Sequence, residues 1–215
     1  MYTNEFLENK FSLEPNQKLP IKLPIDRYFG LTTIFHDLKF KVGAEIGTDN
    51  GRYTKWIFIK NKGVKIYCVD PYLAYDDYVE SHNREQEEID QHFERAKQRL
   101  AEFNVEFIRK TSMEAVKDFE DNSLDFVFID GNHTFQYVVN DIAEWEKKVK
   151  IGGIVSGHDY WRSFDSKKPL YVETLNPIDK IKLVQVKDAI RAWAGANRIN
   201  PWFVTKDNCW FYVKI

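Results

Sequence analysis

Residues 42–51, Val-Gly-Ala-Glu-Ile-Gly-Thr-Asp-Asn-Gly, constrain the fold of this chain more than any other stretch. The apolar half is typical of a short buried strand, and Gly47 and Gly51 allow a tight turn into a following helix, whose free N–H groups face the loop. A second strand, residues 65–69, ends at Asp70, where a carboxylate is placed to bind ribose hydroxyls. The pattern predicts the first half of a nucleotide-binding α/β fold.

The spacing within this glycine loop discriminates between nucleotides. A dinucleotide fingerprint has the form G-x-G-x-x-G, whereas here Glu45 precedes Gly47 and Gly51 and no other glycine is present in the loop. A carboxylate in the loop repels a pyrophosphate, so an NAD-linked oxidoreductase is the weaker alternative. The loop suits a cationic cofactor without phosphates.

Composition excludes several classes of protein. A chain of 215 residues with 43% hydrophobic content can bury a sizeable core, and the net charge of −2, with scattered Lys and Arg, argues against broad binding of nucleic acid. No apolar run reaches membrane-spanning length, and we expect no membrane association. Cys68 and Cys209 form neither a metal-binding spacing nor a disulfide framework. We predict a cytoplasmic protein with a small-molecule partner; a homo-oligomer is compatible with the sequence.

Strand and helix patterns alternate from residue 42 to the end of the chain. Apolar strands are predicted at 105–108, 124–129, 154–157, 202–205 and 209–215, with a long helix over about 83–103 and a helix after residue 138 that ends at Gly152-Gly153. This predicts an α/β fold: a Rossmann-like, doubly wound, seven-stranded, mostly parallel sheet with a C-terminal antiparallel hairpin strand. Residues 1–40 are interpreted as an irregular arm and a helix covering the sheet edge, residues 41–215 as the main domain, and residues 161–184 as a lid.

Polar residues follow each predicted parallel strand at its carboxyl end. Ligands bind at that edge of such sheets, so we expect these residues to converge. They are the loop 45–51, Asp70, Ser112 with Met113, Asp130 with His133, and His158 with Asp159. Asp130 and His133 also have an ordinary alternative, as residues that cap the following helix.

Three stretches together resemble a known family. They are Glu45-Ile-Gly47-Thr-Asp-Asn-Gly51, Phe128-Ile-Asp-Gly-Asn-His-Thr-Phe-Gln-Tyr137 with the later Asp141, and Gly152-Gly-Ile-Val-Ser-Gly-His-Asp-Tyr160. They are similar to class I S-adenosylmethionine-dependent methyltransferases, and to the subgroup with an Ile-Asp-Gly-x-His core. That subgroup includes small-molecule and sugar O-methyltransferases, several of them dependent on a divalent cation. The chain departs from the pattern at Thr48 and Asp49, where more glycine is common.

The resemblance implies S-adenosylmethionine as cofactor and O-methylation of a small molecule or sugar as activity. It implies that Asp70 holds the ribose and that further cofactor contacts come from Glu45, Gly47, Thr48, Asp49, Gly51, Ser112, Met113 and Asp130. It also implies His133 as the general base, and a Mg²⁺ or Mn²⁺ ion held by Asp130, His158 and Asp159. Trp161, Arg162 and Tyr171 are the expected substrate contacts in the lid, which closes together with the tyrosine-rich segment 72–78.

Two further alternatives remain open at the level of sequence. One is another acceptor, a nucleic acid or a protein; enzymes that methylate base amines typically carry Asn/Asp-Pro-Pro-aromatic after the fourth strand, where this chain has Asp130-Gly-Asn-His133. The other is a protein that binds the cofactor without turnover, since glycine is lost at positions 48 and 49.

Overall fold

The computed structural model describes residues 3–74, 85–161 and 184–215. Within these ranges one sheet contains the strands β1 Ile21–Leu23, β2 Val42–Ile46, β3 Lys65–Val69, β4 Val105–Ile108, β5 Leu124–Ile129, β6 Val149–Gly157, β7 Trp202–Thr205 and β8 Trp210–Val213. The α-helices are α1 Thr3–Phe11, α2 Thr32–Asp37, α3 Arg52–Lys60, α4 Gln86–Leu100, α5 Ser112–Ala115, α6 Phe135–Lys148 and α7 Val186–Ala196. A π-helical turn, Arg27–Leu31, precedes α2, and a 3₁₀ turn, Val116–Asp118, follows α5.

The strand order is β1-β7-β8-β6-β5-β2-β3-β4, and β8 runs antiparallel to both of its neighbours. The other neighbouring pairs are parallel, which confirms the predicted Rossmann-like α/β fold with one antiparallel strand from the C-terminal hairpin. The sheet gains an eighth strand at its edge, because Ile21 in the N-terminal arm pairs with Phe203 of β7. Three residues are too few to carry a periodic signal, and the prediction of an irregular arm missed this strand.

Two apolar cores lie on opposite faces of the sheet. One is formed under α5, α6 and α7, with Trp145 and Ile190 packed against Val127 of β5. The other lies under α2, α3 and α4, where Phe35 stacks on Phe126 with ring centroids 4.2 Å apart. Since β5 is covered on both faces, its sequence is almost continuously apolar, as expected of a central parallel strand.

Two local predictions were wrong. A helix interpreted over residues 25–40 is present as the π-helical turn Arg27–Leu31 followed by α2, but Phe35 places it over the central strand β5 and not at the sheet edge. The pair Gly152-Gly153 does not end α6, which stops at Lys148; both glycines lie inside β6. A Cβ on Gly153 would lie 2.5 Å from the carbonyl oxygen of Asp125, so this glycine allows β5 and β6 to approach closely.

Several predictions fall partly outside the described residues. Arg162, Tyr171 and most of the predicted lid lie there, as do the predicted start of the long helix and residues 75–78 of the tyrosine-rich segment. The division into residues 1–40 and 41–215 stays a prediction. In the described ranges, no helix combines the length and the apolar character needed to cross a membrane.

Candidate active site

A cavity of about 750 Å³ lies at the carboxyl ends of the parallel strands. Its wall brings together residues from the ends of neighbouring strands, among them Gly47, Asp70, Ser112, Asp130 and Asp159. This is the edge at which open α/β sheets bind ligands, and the volume is within the usual range for small-molecule sites. The predicted convergence of polar residues at this edge is therefore present in the structure.

The glycine loop passes very close to the loop after β5. Gly47 has φ +87°, and a Cβ there would lie 2.2 Å from the carbonyl oxygen of Asp130. Asp49 also has a positive φ, +49°, and its N–H donates to Oδ2 of Asp70 at 2.9 Å. His92 of α4 contacts the Asp49 carboxylate through Nδ1. The loop is thus held on one side by β3 and on the other by α4.

Asp70 accepts hydrogen bonds from two backbone N–H groups, those of Asp49 and Tyr72, each at 2.9 Å. Tyr72 in turn donates its hydroxyl to the carbonyl oxygen of Asp49 at 2.7 Å. These contacts fix the carboxylate in the cavity wall. Asp70 lies just beyond the end of β3, the position from which a carboxylate binds ribose hydroxyls in folds of this type.

A directional chain of hydrogen bonds lies at the start of α5. The Trp145 indole donates Nε1–H to Ser112 Oγ at 2.8 Å, and Ser112 donates to Oδ1 of Asp141. Burial raises the pKa of Asp141 to about 7, although the hydrogen bond from Ser112 and the charge of His133 lower it. Ser112 and Asp141 both line the cavity.

His133 lies between two carboxylates. Its Nε2 is 3.3 Å from Oδ1 of Asp130 and 3.4 Å from Oδ2 of Asp159. Asp130 does not cap α6, since the N-cap residue is Thr134. Burial tends to raise the pKa of Asp159, but the hydrogen bond from His158 and the charges of His133 and His158 hold it well below the usual range.

His158 faces the opposite side of Asp159. Its Nδ1 is 3.0 Å from Oδ1 of Asp159, and its Nε2 is 3.0 Å from the carbonyl oxygen of Asp207. Both ring nitrogens therefore lie within reach of oxygen atoms, and Nδ1 is also 3.8 Å from Oδ1 of Asp130. The three groups that converge on one point are Asp130, His133 and Asp159, whose ligand atoms all lie within 4.8 Å of one another.

Arg27 reaches this cluster from the π-helical turn in the N-terminal arm. Its Nη1 is 3.5 Å from Oδ2 of Asp130, and its Nε is 3.9 Å from Oδ2 of Asp207. Burial lowers the pKa of Arg27, but the charge of Asp130 and the smaller contributions of Cys209 and Tyr28 together outweigh that effect, and the pKa rises above its usual value. Arg27 lies in the wall of the cavity as a permanent positive charge beside Asp130.

Four predicted cofactor residues do not form part of the cavity wall: Glu45, Thr48, Gly51 and Met113. Glu45 is buried beneath α3, where it accepts a hydrogen bond from Thr54 Oγ1. Burial raises the pKa of this carboxyl to about 8, so it is largely protonated near pH 7. A protonated Glu45 supports the glycine loop from below without placing a negative charge in it.

The methyltransferase-domain family model matches residues 44–160, more than half of the chain. The chain belongs to this family. The match contains the glycine loop, Asp70, the Asp130 loop and the His158-Asp159 pair, so it covers the strand ends that build most of the cavity. A curated relative, the uncharacterized protein y4gI of Sinorhizobium fredii (strain NBRC 101917 / NGR234), is 38% identical over 52 residues. That stretch is 24% of this chain and 6% of the relative, so the chain spans only a small part of that protein.

Solved structures of methyltransferases share the fold of this domain. A Staphylococcus aureus protein assigned provisionally as a caffeoyl-CoA O-methyltransferase gives a TM-score of 0.61 at 15% identity, covering 99% of this chain and 90% of its own. The O-methyltransferase TomG of Streptomyces achromogenes, solved with SAM, gives a TM-score of 0.59 at 14% identity, and the alignment covers 97% of this chain and 86% of TomG. An O-methyltransferase of Bacillus cereus, solved with SAH, gives a TM-score of 0.58 at 15% identity, and the alignment covers 99% of this chain and 90% of that protein.

Sequence reasoning missed several residues of this cavity, among them Arg27, Asn132 and Asp141. Arg27 gave no signal, because it lies far from the motifs in the chain and only the fold brings it to Asp130. Asn132 and Asp141 lie inside the motif stretches, but the spacing alone did not indicate that they face the cavity. For Asp141 a signal was available in the sequence. It is a charged residue on the buried face of α6, where Val138 and Ile142 are also buried.

Proposed function

We propose that this methyltransferase binds S-adenosylmethionine in the cavity and transfers its methyl group to a hydroxyl of a small-molecule acceptor in the cytoplasm. One observation carries the proposal. The cavity has a carboxylate suited to a ribose at one end, Asp70, and an imidazole held between two carboxylates at the other, His133. The same cavity therefore contains a group that can bind a nucleoside cofactor and a group that can accept a proton.

The wall residues support the following placement of the cofactor. The ribose hydroxyls bind Asp70, the amino-acid part passes the backbone of Gly47 and Asp49, and the base lies toward Ser112. The sulfonium then lies nearest to the carboxylate cluster of Asp130 and Asp159. Its positive charge is favoured by that cluster, whereas a pyrophosphate would be repelled there.

In the transfer step the acceptor oxygen attacks the methyl carbon in line with the sulfur. The carbon–sulfur bond breaks, its electron pair goes to sulfur, and the acceptor proton moves to Nδ1 of His133, because Nε2, which faces the carboxylates of Asp130 and Asp159, already carries the proton of the neutral ring. Asp130 and Asp159 orient the ring and stabilise the imidazolium that forms, as a carboxylate does for a catalytic histidine in other enzymes. The low pKa of Asp159 keeps this carboxylate ionised throughout.

The donor atoms of Asp130, His133 and Asp159 also fit a divalent cation. Two carboxylate oxygens and one imidazole nitrogen favour Mn²⁺ over Mg²⁺, which prefers oxygen ligands, and such an ion would lower the pKa of an acceptor hydroxyl. His158 is not one of these three groups: its Nε2 meets the carbonyl oxygen of Asp207, while its Nδ1 lies 3.0 Å from Oδ1 of Asp159 and 3.8 Å from Oδ1 of Asp130. However, an ion on Nε2 would displace the proton through which Nε2 contacts Asp130 and Asp159, and Arg27 already lies beside Asp130 as a positive charge. We therefore assign Nε2 of His133 to the proton.

Calorimetric titration with S-adenosylhomocysteine tests the cofactor. The wild type is expected to bind it and to give no heat with NAD⁺. Asp70→Ala should weaken binding by about 1.5–3 kcal/mol, the scale for loss of a charge-assisted hydrogen bond. Asp121→Ala, which removes an exposed carboxylate remote from the cavity, is the control and should bind normally. Equal affinity in Asp70→Ala and the control would refute the placement of the ribose.

Methyl transfer itself is tested by mass spectrometry with panels of hydroxylated sugars and phenols. A product that gains one methyl group, with one S-adenosylhomocysteine formed for each, is the expected result. Binding of the cofactor without turnover on hydroxyl, amine or peptide acceptors would instead support a binding protein.

A further inference from the structure

A second group of potential metal ligands lies at the turn between β7 and β8, where the transfer step does not use it. It consists of His158, Asp207 and Cys209, and one ligand atom from each lies within 4.8 Å of the others. Asp207 and Cys209 belong to the turn, whereas His158 follows β6, the strand that pairs with β8. Cys209 is a free cysteine and is fully buried. The fold thus brings together an imidazole, a carboxylate and a thiol that the spacing in the sequence did not connect.

The three side chains are oriented by further contacts. His158 turns Nε2 to the turn, 3.0 Å from the carbonyl oxygen of Asp207, and its Nδ1 lies 3.0 Å from Oδ1 of Asp159. A histidine that ligates a metal typically donates its other ring N–H to a carboxylate in this way. Oδ1 of Asp207 accepts a hydrogen bond from Thr205 Oγ1 at 2.6 Å, and the same hydroxyl accepts from the backbone N–H of Cys209 at 3.0 Å. Such outer contacts hold metal ligands in place before an ion arrives.

The charges around the group favour a cation. The carboxylates of Asp207, Asp159 and Asp130 surround it, and the fixed positive charge beside them is Arg27, whose Nε is 3.9 Å from Oδ2 of Asp207. Burial raises the pKa of the Cys209 thiol well above its usual value; the charges of Asp207 and Asp130 add to this, and Arg27 opposes it. A bound cation would relieve the repulsion that keeps this thiol protonated. Because Arg27 lies at Oδ2 of Asp207, Oδ1 is the oxygen available to an ion.

We infer that His158 Nε2, Asp207 Oδ1 and Cys209 Sγ bind a zinc ion, with a water molecule as the fourth ligand. Thiolate, imidazole and carboxylate are the ligand types that zinc takes in proteins, and three protein ligands with one water complete its tetrahedral coordination. The thiolate favours Zn²⁺ over Mg²⁺ and Mn²⁺, which prefer oxygen ligands. On binding, the thiol releases its proton to solvent, and the neutral imidazole carries its own proton on Nδ1, toward Asp159.

The ion ties the turn after β7 to the loop after β6, so its effect is on stability and not on the transfer step. The same turn fixes the arm, because Oδ2 of Asp207 accepts a hydrogen bond from the backbone N–H of Arg27 at 3.1 Å. An ion that binds the folded state in preference to the unfolded state raises the Tm. The site is independent of the proposed function, and its test uses no cofactor.

Titration of the full, reduced and metal-free chain with Co²⁺ tests the site, because Co²⁺ replaces zinc and a thiolate ligand gives it a charge-transfer band in the near ultraviolet. The wild type is expected to develop this band, saturating at a single ion per chain, and to lose it when Zn²⁺ is added. Cys209→Ala should not develop the band. Cys68→Ala, which removes the buried cysteine of β3, is the matched control and should keep it. An ion held by Asp130, His133 and Asp159 gives no such band, since these residues contain no sulfur.

Asp207→Asn tests the site while the thiol stays in place. Its Co²⁺ affinity should fall by about 100-fold or more, beyond the usual range for loss of an outer contact, whereas the remote variant Asp121→Asn should bind normally. Zn²⁺ should raise the Tm of the wild type and of Cys68→Ala but not that of Cys209→Ala. A wild type without the band refutes the site, whether or not the variants fold. A band that persists in Cys209→Ala, or an unchanged affinity in Asp207→Asn, refutes it equally.

Discussion

Nε2 of His133 lies 3.4 Å from Oδ2 of Asp159, across the gap between β5 and β6. The two residues come from loops that follow neighbouring parallel strands, so the sheet itself sets their separation. A histidine that gains a proton in this position meets a carboxylate whose pKa is already held low, and the positive ring is stabilised as it forms. Four predictions follow from this arrangement and from the loops around it.

His133→Ala should lower kcat by about 10²–10⁴-fold, the usual scale for loss of a general base. S-Adenosylhomocysteine affinity should barely change, because the imidazole meets the acceptor and not the cofactor. In the wild type, the rate should rise with pH through the range in which histidine loses its proton and then level off. His36→Ala, which removes an exposed histidine remote from the cavity, serves as the control. A folded His133→Ala protein with near-normal kcat would place the base elsewhere.

Removal of divalent metal ions by a chelator tests whether His133 acts as a general base or as a metal ligand. Since we assign Nε2 to the proton, methyl transfer is expected to continue after dialysis against EDTA, with the same dependence on pH. Mn²⁺ added afterwards should compete with protonation of His133 and so should not accelerate the reaction. Loss of activity in EDTA and its recovery with Mn²⁺, together with loss of Mn²⁺ binding in Asp159→Asn, would assign Nε2 to the ion.

Glu45→Gln should change the dependence of stability on pH. The folded protein holds the Glu45 proton with a pKa of about 8, above the ordinary value of 4.5, so the folded state binds more protons than the unfolded state between these values. The free energy of unfolding therefore falls as pH rises from about 4.5 to about 8. Asp141, with a raised pKa of about 7, contributes in the same direction.

Glu45→Gln has no carboxyl at this position, so its unfolding free energy should fall less steeply with rising pH than that of the wild type. The Tm of the variant minus the Tm of the wild type should therefore increase from pH 5 to pH 8. Thermal unfolding monitored by circular dichroism at several pH values measures this, with the exposed Glu120→Gln as control. Parallel curves for Glu45→Gln and the wild type would mean that Glu45 is ionised in the folded state.

Gly47→Ala should cost far more stability than Gly63→Ala. Both glycines have a positive φ, +87° and +83°, so an alanine meets similar backbone strain of roughly 1–2 kcal/mol at each. A Cβ at position 63 has no atom within 4 Å, whereas at position 47 it would lie 2.2 Å from the carbonyl oxygen of Asp130. Urea unfolding of both variants isolates the cost of this clash. Gly47→Ala should also lose S-adenosylhomocysteine binding, and similar unfolding free energies for the two variants would contradict the close approach.

The sequence predicted the elements whose signals are local and long. The apolar strands β2, β3 and β5 and the helices α4 and α6 carry clear periodicity, and parallel pairing then brings their carboxyl ends to one edge. For this reason the strand-end residues Asp70, Asp130 and Asp159 could be placed together before any coordinates were known. Side-chain direction could not be read in the same way: Glu45 belongs to the loop motif, yet it lies beneath α3 and outside the cavity wall.

Contacts between distant segments were beyond prediction. The pairing of β1 with β7 depends on three residues whose sequence carries no period. His133 and His158 follow neighbouring strands and looked equivalent as ligands, but Nε2 of His158 meets the carbonyl oxygen of Asp207 and its Nδ1 meets Asp159, whereas His133 turns Nε2 to both Asp130 and Asp159. Only the packed structure distinguishes the two histidines.

The N-terminal arm contributes a charged side chain to the candidate active site, although it lies outside the segment that matches the family. The family match begins at residue 44, whereas the guanidinium that faces Asp130 belongs to Arg27. The arm is tied to the far edge of the sheet through β1 and β7, so the position of that charge depends on strands from both ends of the chain. A fragment cut to the family boundaries would keep the motif residues but leave the Asp130 carboxylate without its fixed positive neighbour.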